Sequence, residues 1–382
     1  MLTNADIVAL TDFRHDLHRH PEISGDEART AARVVTALRA LLPTDILTGL
    51  GGHGVAALWT SPNPGPTLML RAELDALPIE EISTAAHRSI IPGLAHLCGH
   101  DGHATILMAV ARLLHRQPPA SGRVILMFQP AEEDGSGAAA VTADPRYAAI
   151  TPDYAFALHN MPGLPLGCVH LGPGVFSCAS RGLKITLTGK TAHASLPHTG
   201  ISPANALATL IPALHQLGPG GPDLRPDFRL ITITHARMGE PAFGVAPGHA
   251  EIWATLRTAA DAPMAALLHD AMTLATQTAA VHGLTTAFTH HDDFAATIND
   301  PAATAHLQSA LTALNIPHHP GILPMRASED FGRFGHPPTK LAMFLLGQGE
   351  GPALHNPDYD FDDALIPIGA RIFHRVMTDL LV

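Results

Sequence analysis

Between Leu94 and Thr105 the chain reads LAHLCGHDGHAT, which places Cys98, His100, Asp101 and His103 within six positions just ahead of an apolar run, ILMAVARLL. Thiolate, imidazole and carboxylate together form the donor set of a borderline-soft divalent metal. Gly99 and Gly102 leave the backbone free to turn between these donors. Cys-x-His is a short pattern, however, and the same stretch also reads as loop histidines beside a buried structural cysteine. Further donors are the acid pair Glu132 and Glu133 in QPAEED, His159 in ALHN, and His355 in LHNPDYDF. Neighbouring carboxylates point in different directions, so one of the pair can hold metal while the other faces a substrate or water. Donors scattered along a whole chain suit a catalytic centre with an open coordination position, whereas structural zinc sites draw on local paired motifs.

The elements that must position these donors are short and apolar. Thr67 to Leu74 ends on Asp75, Val124 to Phe128 runs into the acid pair, and Tyr154 to Leu158 ends on His159 and Asn160. Runs of this kind are buried strands. A helix over Ala104 to Leu114 joins the first two and predicts a parallel crossover. Ligands of open α/β sheets gather outside the carboxyl ends of the strands, so the polar groups after these runs are expected to face one crevice. Upstream, Asn4 or Asp6 caps a helix that ends before Pro21, and a second helix runs from Asp26 to Leu42. HRHPE between them is polar enough for a site but reads as a turn with solvated histidines, because Pro21 forces a break.

From Arg181 the pattern changes to strand, helix, strand, strand, helix, strand, the ferredoxin-like order. Strand and helix material of the first kind resumes near Thr297 and ends in a helix from Asp363 to Leu381. The expected fold is α/β. A discontinuous domain of residues 1–180 and 295–382 carries the donors, and residues 181–294 form an insert.

At 382 residues the chain exceeds one ordinary core. A net charge of −11, with lysine only at Lys184, Lys190 and Lys340, excludes a nucleic-acid footprint. The N-terminus lacks the basic and apolar regions of a signal peptide, and no uncharged apolar run approaches membrane-spanning length. Sparse cysteines, Cys98, Cys168 and Cys178, fit reduced thiols in the cytoplasm.

The segments RHDLHRHPE, RAELDALPIEE, CGHDGH, QPAEE, ALHNMP, GKTAHASLP, ASEDFGRF and LHNPDYDF together resemble peptidase family M20, the aminoacylase and carboxypeptidase type of two-metal metallopeptidase. The match is to its amidohydrolase branch of bacterial aminoacylases, hippurate hydrolases and auxin-conjugate hydrolases. The resemblance implies a mixed-sheet catalytic domain with a ferredoxin-like lid and dimerisation domain. It also implies two divalent transition ions, zinc or manganese before cobalt or nickel, held by Cys98, His100, Glu133, His159 and His355. By resemblance Glu132 is the general base of a metal-activated water that attacks the amide of an N-acyl amino acid, and Asp75 orients a ligand imidazole. His193 matches a histidine that reaches the partner subunit's active site in a homodimer, and Arg257 matches an arginine that helps hold a substrate carboxylate. From the residues alone, Asp75 and Arg257 also read as charges at strand ends, and His193 as a loop histidine.

Departures from the family pattern fall outside the donor set. Phe243 to Gly248 stands where relatives read FNVIPD, so Gly244 replaces an asparagine near the substrate. Ser202 and Glu73 each replace an aspartate. Amide chemistry is therefore expected to persist while substrate choice shifts. The alternatives are a dipeptidase or exopeptidase of the same family, and a non-catalytic small-molecule binder on the same fold.

Overall fold

A computed structural model describes residues 1–381. The chain opens with α1 (Asn4–Arg19) and α2 (Ala28–Arg39) and continues through β1 (Asp45–Leu50), β2 (Gly54–Thr60) and β3 (Thr67–Glu73). There follow α3 (His100–Arg116), β4 (Arg123–Gln129), α4 (Gly137–Ala143), β5 (Tyr154–Pro162), β6 (Val169–His170) and β7 (Gly174–Ser177). The middle of the chain holds β8 (Ala179–Thr188), β9 (Ala192–His193), α5 (Ala204–Leu217), β10 (Arg229–Met238), β11 (Val245–Ala246), β12 (His249–Thr258), α6 (Asp261–Val281) and β13 (Thr285–Phe294). It closes with β14 (Thr297–Asn299), α7 (Pro301–Ala313), β15 (His318–His319), β16 (Lys340–Gly349) and α8 (Leu365–Leu380).

Two compact units result. One comprises Met1–Phe176, Thr297–Leu323 and Asp330–Val382; the other comprises Ser177–Ala296 and Pro324–Glu329. The first is built on an eight-stranded mixed sheet in the order β1-β2-β4-β3-β5-β16-β6-β15. β3 pairs in parallel with both β4 and β5, and β16 with β5, so the carboxyl ends of four central strands share one edge. Leu68, Leu70, Leu126, Phe128, Phe156 and Phe344 alternate toward one face, where they meet Leu107 and Val110 of α3 and Ile366 and Phe373 of α8. Strand alternation and the helical stripe thus converge on one core.

The second unit has a four-stranded sheet in the order β10-β12-β8-β13, with α5 and α6 supplying Leu210, Leu214, Leu267 and Ala271 to its core. Its sequence order, β8-α5-β10-β12-α6-β13, is that of the ferredoxin-like unit. No helix among the described residues is long and apolar enough to cross a membrane.

Several local readings need correction. Thr3, rather than Asn4 or Asp6, caps α1: its hydroxyl accepts from the Asp6 N–H, and the Asp6 carboxylate accepts from the Thr3 N–H. His18 lies inside α1 and is fully buried, so HRHPE is not a turn of solvated histidines. β1 has no counterpart in the sequence reading, because its mostly exposed pattern gives no apolar run. The crossover helix α3 starts at His100, four residues ahead of the expected Ala104.

Candidate metal centre

The earlier start of α3 places the donors. Gly99 caps the helix at φ +96°, a left-handed conformation that L side chains avoid, and a Cβ there would lie 2.3 Å from the Asn160 side-chain oxygen. His100 is thereby the first residue of the helix, with Cys98 just ahead of an N-terminus whose field favours a thiolate. Gly102 is not a turn residue. It sits in the first turn of α3, and a Cβ would come 2.5 Å from the Phe361 ring. Asp101 pins that turn from the other side, accepting from His18 Nδ1 at 2.8 Å and from Arg14 at 3.1 Å.

Cys98, His100, Glu133, His159 and His355 come together at the carboxyl edge of the sheet. Cys98 Sγ lies 3.4 Å from His159 Nε2 and 3.3 Å from His355 Nε2. His100 Nε2 is 3.8 Å from Glu133 Oε1 and 3.9 Å from Glu132 Oε2, and His355 Nε2 is 3.7 Å from Glu133 Oε2. Donor atoms of Cys98, His100 and His159 fall within 4.8 Å of one another, as do those of Cys98, Glu133 and His355. The cysteine is common to both triads. A tetrahedral zinc ion with ordinary bond lengths sets sulfur and nitrogen donors about 3.6 Å apart, so these separations need little adjustment to hold ions.

The imidazoles are aimed by their other nitrogens. His159 Nδ1–H donates to the Asn160 carbonyl at 2.7 Å, and His100 Nδ1–H donates to the Asp75 carbonyl at 2.9 Å, which turns both Nε2 atoms inward. The Asp75 carboxylate lies 3.3 Å from His100 Nδ1 and accepts from the Glu133 N–H at 2.9 Å and from Ser24 at 2.8 Å, fixing a ligand histidine and the acid pair at once.

Electrostatics point to a missing positive charge. Burial opposes a charged His100, but the hydrogen bond to Asp75 and the carboxylates of Glu73, Asp75 and Glu133 outweigh it and hold the ring at about 10. Burial pushes Glu133 up to about 7, while burial and the neighbouring His103 and His100 lower His159 to about 3. His100 Nε2 and Glu133 Oε1 are both buried without a hydrogen-bond partner. Buried polar atoms are rarely left so. A neutral imidazole, a cysteine sulfur and an uneasy carboxylate around orphaned atoms fit a cation.

Of the remaining candidates, Glu132 is buried, and its Oε1 accepts a long, 3.4 Å hydrogen bond from the Asp330 N–H. His193 and Arg257 belong to the other unit. His193 is exposed on β9, with Nδ1 2.8 Å from the Ser195 hydroxyl. Arg257 donates to the Arg326 carbonyl at 2.9 Å and the Ser328 hydroxyl at 2.8 Å, and burial lowers its pKa.

Sequence reasoning did not find the buried support beneath the acid pair. Arg71 donates to Gln129 at 2.8 Å and to Asp330 at 2.6 Å, and Asp330 also accepts from Gln129 at 2.7 Å. An arginine inside the apolar run TLMLRAE was the available signal. Asn160 and Tyr359 form a second support, with His103 Nε2 2.8 Å from the Asn160 oxygen and the Asn160 amide donating to the Tyr359 hydroxyl at 2.6 Å.

Comparison with known proteins points to one family. Residues 69–379 match the model of peptidase family M20/M25/M40. N-acetyl-L-cysteine deacetylase of Bacillus subtilis is 31% identical over 94% of this chain and 84% of its own. Hippurate hydrolase of Campylobacter jejuni is 28% identical over 95% of this chain and 94% of its own. A dinuclear metal binding peptidase of the M20 family from Bacillus subtilis superposes with a TM-score of 0.82 at 25% identity, covering 99% of each chain.

Proposed function

Since the chain belongs to peptidase family M20/M25/M40 and is a metal-dependent amide hydrolase, we propose that its substrates are N-acyl amino acids and that Cys98, His100, Glu133, His159 and His355 hold two divalent transition ions. The sharing of Cys98 between two donor triads carries this reading. When bound, the ions supply Lewis acidity and draw the pKa of water toward neutrality. Glu132 takes the proton from the attacking water and delivers it to the departing amine, and its hydrogen bond from the Asp330 N–H keeps one oxygen seated while the other faces the donors. Asp75 holds His100 in the tautomer that presents Nε2.

Zinc and manganese are the first candidates for the ions, with cobalt and nickel next, because a mixed thiolate, imidazole and carboxylate set admits them all. The inserted unit serves as lid and dimerisation domain, with His193 crossing to the partner subunit to stabilise the oxyanion and Arg257 pairing with a substrate carboxylate. The three cysteines form no disulfide among the described residues, which supports a reducing, cytoplasmic setting. An N-acyl amino acid is the class to which N-acetyl-L-cysteine and hippurate, named for two relatives, both belong.

The test is to strip the protein, restore each ion in turn, and screen N-acetyl, N-benzoyl and indole-acyl amino acids beside dipeptides. Amine release from the N-acyl compounds is expected with at least one ion. Exclusive turnover of dipeptides would replace the substrate class, and no cleavage of any amide with any ion would overturn the reading.

A further inference from the structure

A second set of soft donors lies at the β15 end of the large sheet. The sequence GCVHLG repeats the Cys-x-His spacing at Cys168 and His170, and the strand alternation separates their roles. Val169 and Leu171 enter the apolar core, so Cys168 and His170 turn to the opposite face. β6 pairs in parallel with β15 and sets His319 directly beside His170. The two rings are 4.4 Å apart at 46°, and Cys168 Sγ lies 3.8 Å from His319 Nε2. One donor atom from each of the three falls within 4.8 Å of the other two. Cys168 and His170 are buried, while His319 is exposed.

We propose that Cys168, His170 and His319 form an additional metal site, distinct from the catalytic centre, for one borderline-soft divalent ion of the zinc type. The observed sulfur-to-nitrogen separation is close to the roughly 3.6 Å that a tetrahedral zinc ion imposes, so binding requires only small side-chain rotations. Burial and the neighbouring His319 disfavour a proton on His170. Gly321 folds the following loop tightly over His170, where a Cβ would come 2.2 Å from Nδ1. The Ile322 N–H approaches that nitrogen at 3.3 Å. Ligation through Nε2 moves the ring proton to Nδ1 and gives up this long contact.

The site shares no donor with the catalytic set. Leu345 is paired with His159 on one side and His170 on the other, which puts the two histidines two strand spacings apart, about 10 Å. An ion here ties the edge strand β15 to its neighbour β6, each of only two residues. Three protein donors leave a fourth position beside the exposed His319 for water or a small anion.

Two measurements decide the matter. Zinc-loaded wild type should carry one ion per chain more than His319→Ala, a change at an exposed position that leaves the fold intact. Cobalt-loaded Cys98→Ser, which lacks the catalytic thiolate, should keep a thiolate-to-cobalt charge-transfer absorption that vanishes when Cys168→Ser is added. Equal zinc content in wild type and His319→Ala overturns the proposal. So does the absence of that absorption from Cys98→Ser, or its survival in the double variant.

Discussion

His100 Nε2 stands 3.8 Å from Glu133 Oε1, and both atoms are buried without a hydrogen-bond partner. Before metal arrives, protons do the neutralising: His100 is held at about 10 and Glu133 at about 7. Metal must displace the His100 proton at any pH below about 10, and the Glu133 proton as well below about 7. Apparent affinity should therefore rise with pH, roughly tenfold per unit for each displaced proton, and more steeply below pH 7 than above it. Chelator competition across pH 6 to 9 measures this, and a flat profile would sink the assignment.

Replacing Glu132 by Gln removes the proton acceptor while keeping size and most contacts. Turnover should fall by roughly 10²- to 10⁴-fold with metal content unchanged. Cys98→Ala, in contrast, should lose metal, because both triads share that sulfur. Full activity in Glu132→Gln would remove the base assignment.

His18 lies between Asp101, 2.8 Å from Nδ1, and Glu81, 3.4 Å from Nε2. Burial opposes its charge, but these carboxylates outweigh it and raise the ring to about 9. Its contribution to stability is thus full below about 6.5 and lost as pH climbs through 9. Burial likewise opposes the Glu81 anion, yet hydrogen bonds from His18, Ser83 and the Ser89 N–H lower it to about 2, so its contribution is full above 4.5 and lost on acidification toward 2. His18→Gln should cost about 3–5 kcal/mol near pH 6. The deficit should shrink above pH 9, as read from denaturant unfolding at each pH. A pH-independent deficit would mean the loss is one of packing.

Gly99→Ala would force a side chain into left-handed backbone and against Asn160, which also holds His103. Strain of about 1–3 kcal/mol plus the clash should lower both Tm and metal affinity. Gly163→Ala is the control: its φ is +83°, but nothing lies within 4 Å of the added carbon, so only the backbone penalty applies. Equal effects of the two substitutions would assign no special role to the Asn160 contact.

Mixing His193→Ala subunits with Glu132→Gln subunits tests the crossing histidine. Each is expected to be nearly inactive alone, and a mixed dimer should regain part of the activity through one intact pairing. Absence of any regain in dimers proven to be mixed would count against a trans role.

Glu133 and His159 were legible because they follow apolar runs, and an apolar run bounded by polar residues announces a buried strand. Glu132, Glu133 and His159 each gain their meaning from the strand before them. His18 was illegible for the opposite reason: its partners Asp101 and Glu81 lie 83 and 63 residues away, so a histidine a few residues before Pro21 reads locally as part of a turn. Arg71 and Asp330, 259 residues apart, pose the same difficulty. Edge strand β1, with little buried surface, left no pattern to read. The Cys168, His170 and His319 cluster needed the β6–β15 register, which no local spacing specifies.

The insertion of Ser177–Ala296 also orders events at the ribosome. Cys98, His100, Glu133 and His159 emerge before the inserted unit, whereas His355 and β16, the strand between β5 and β6, emerge after it. Until then the nascent sheet is split at β5, whose unpaired edge is a template for association with other chains. The fifth donor arrives only after the seam can close. A chain truncated within the insert would thus carry four of five donors on an open sheet, and should be both metal-deficient and aggregation-prone.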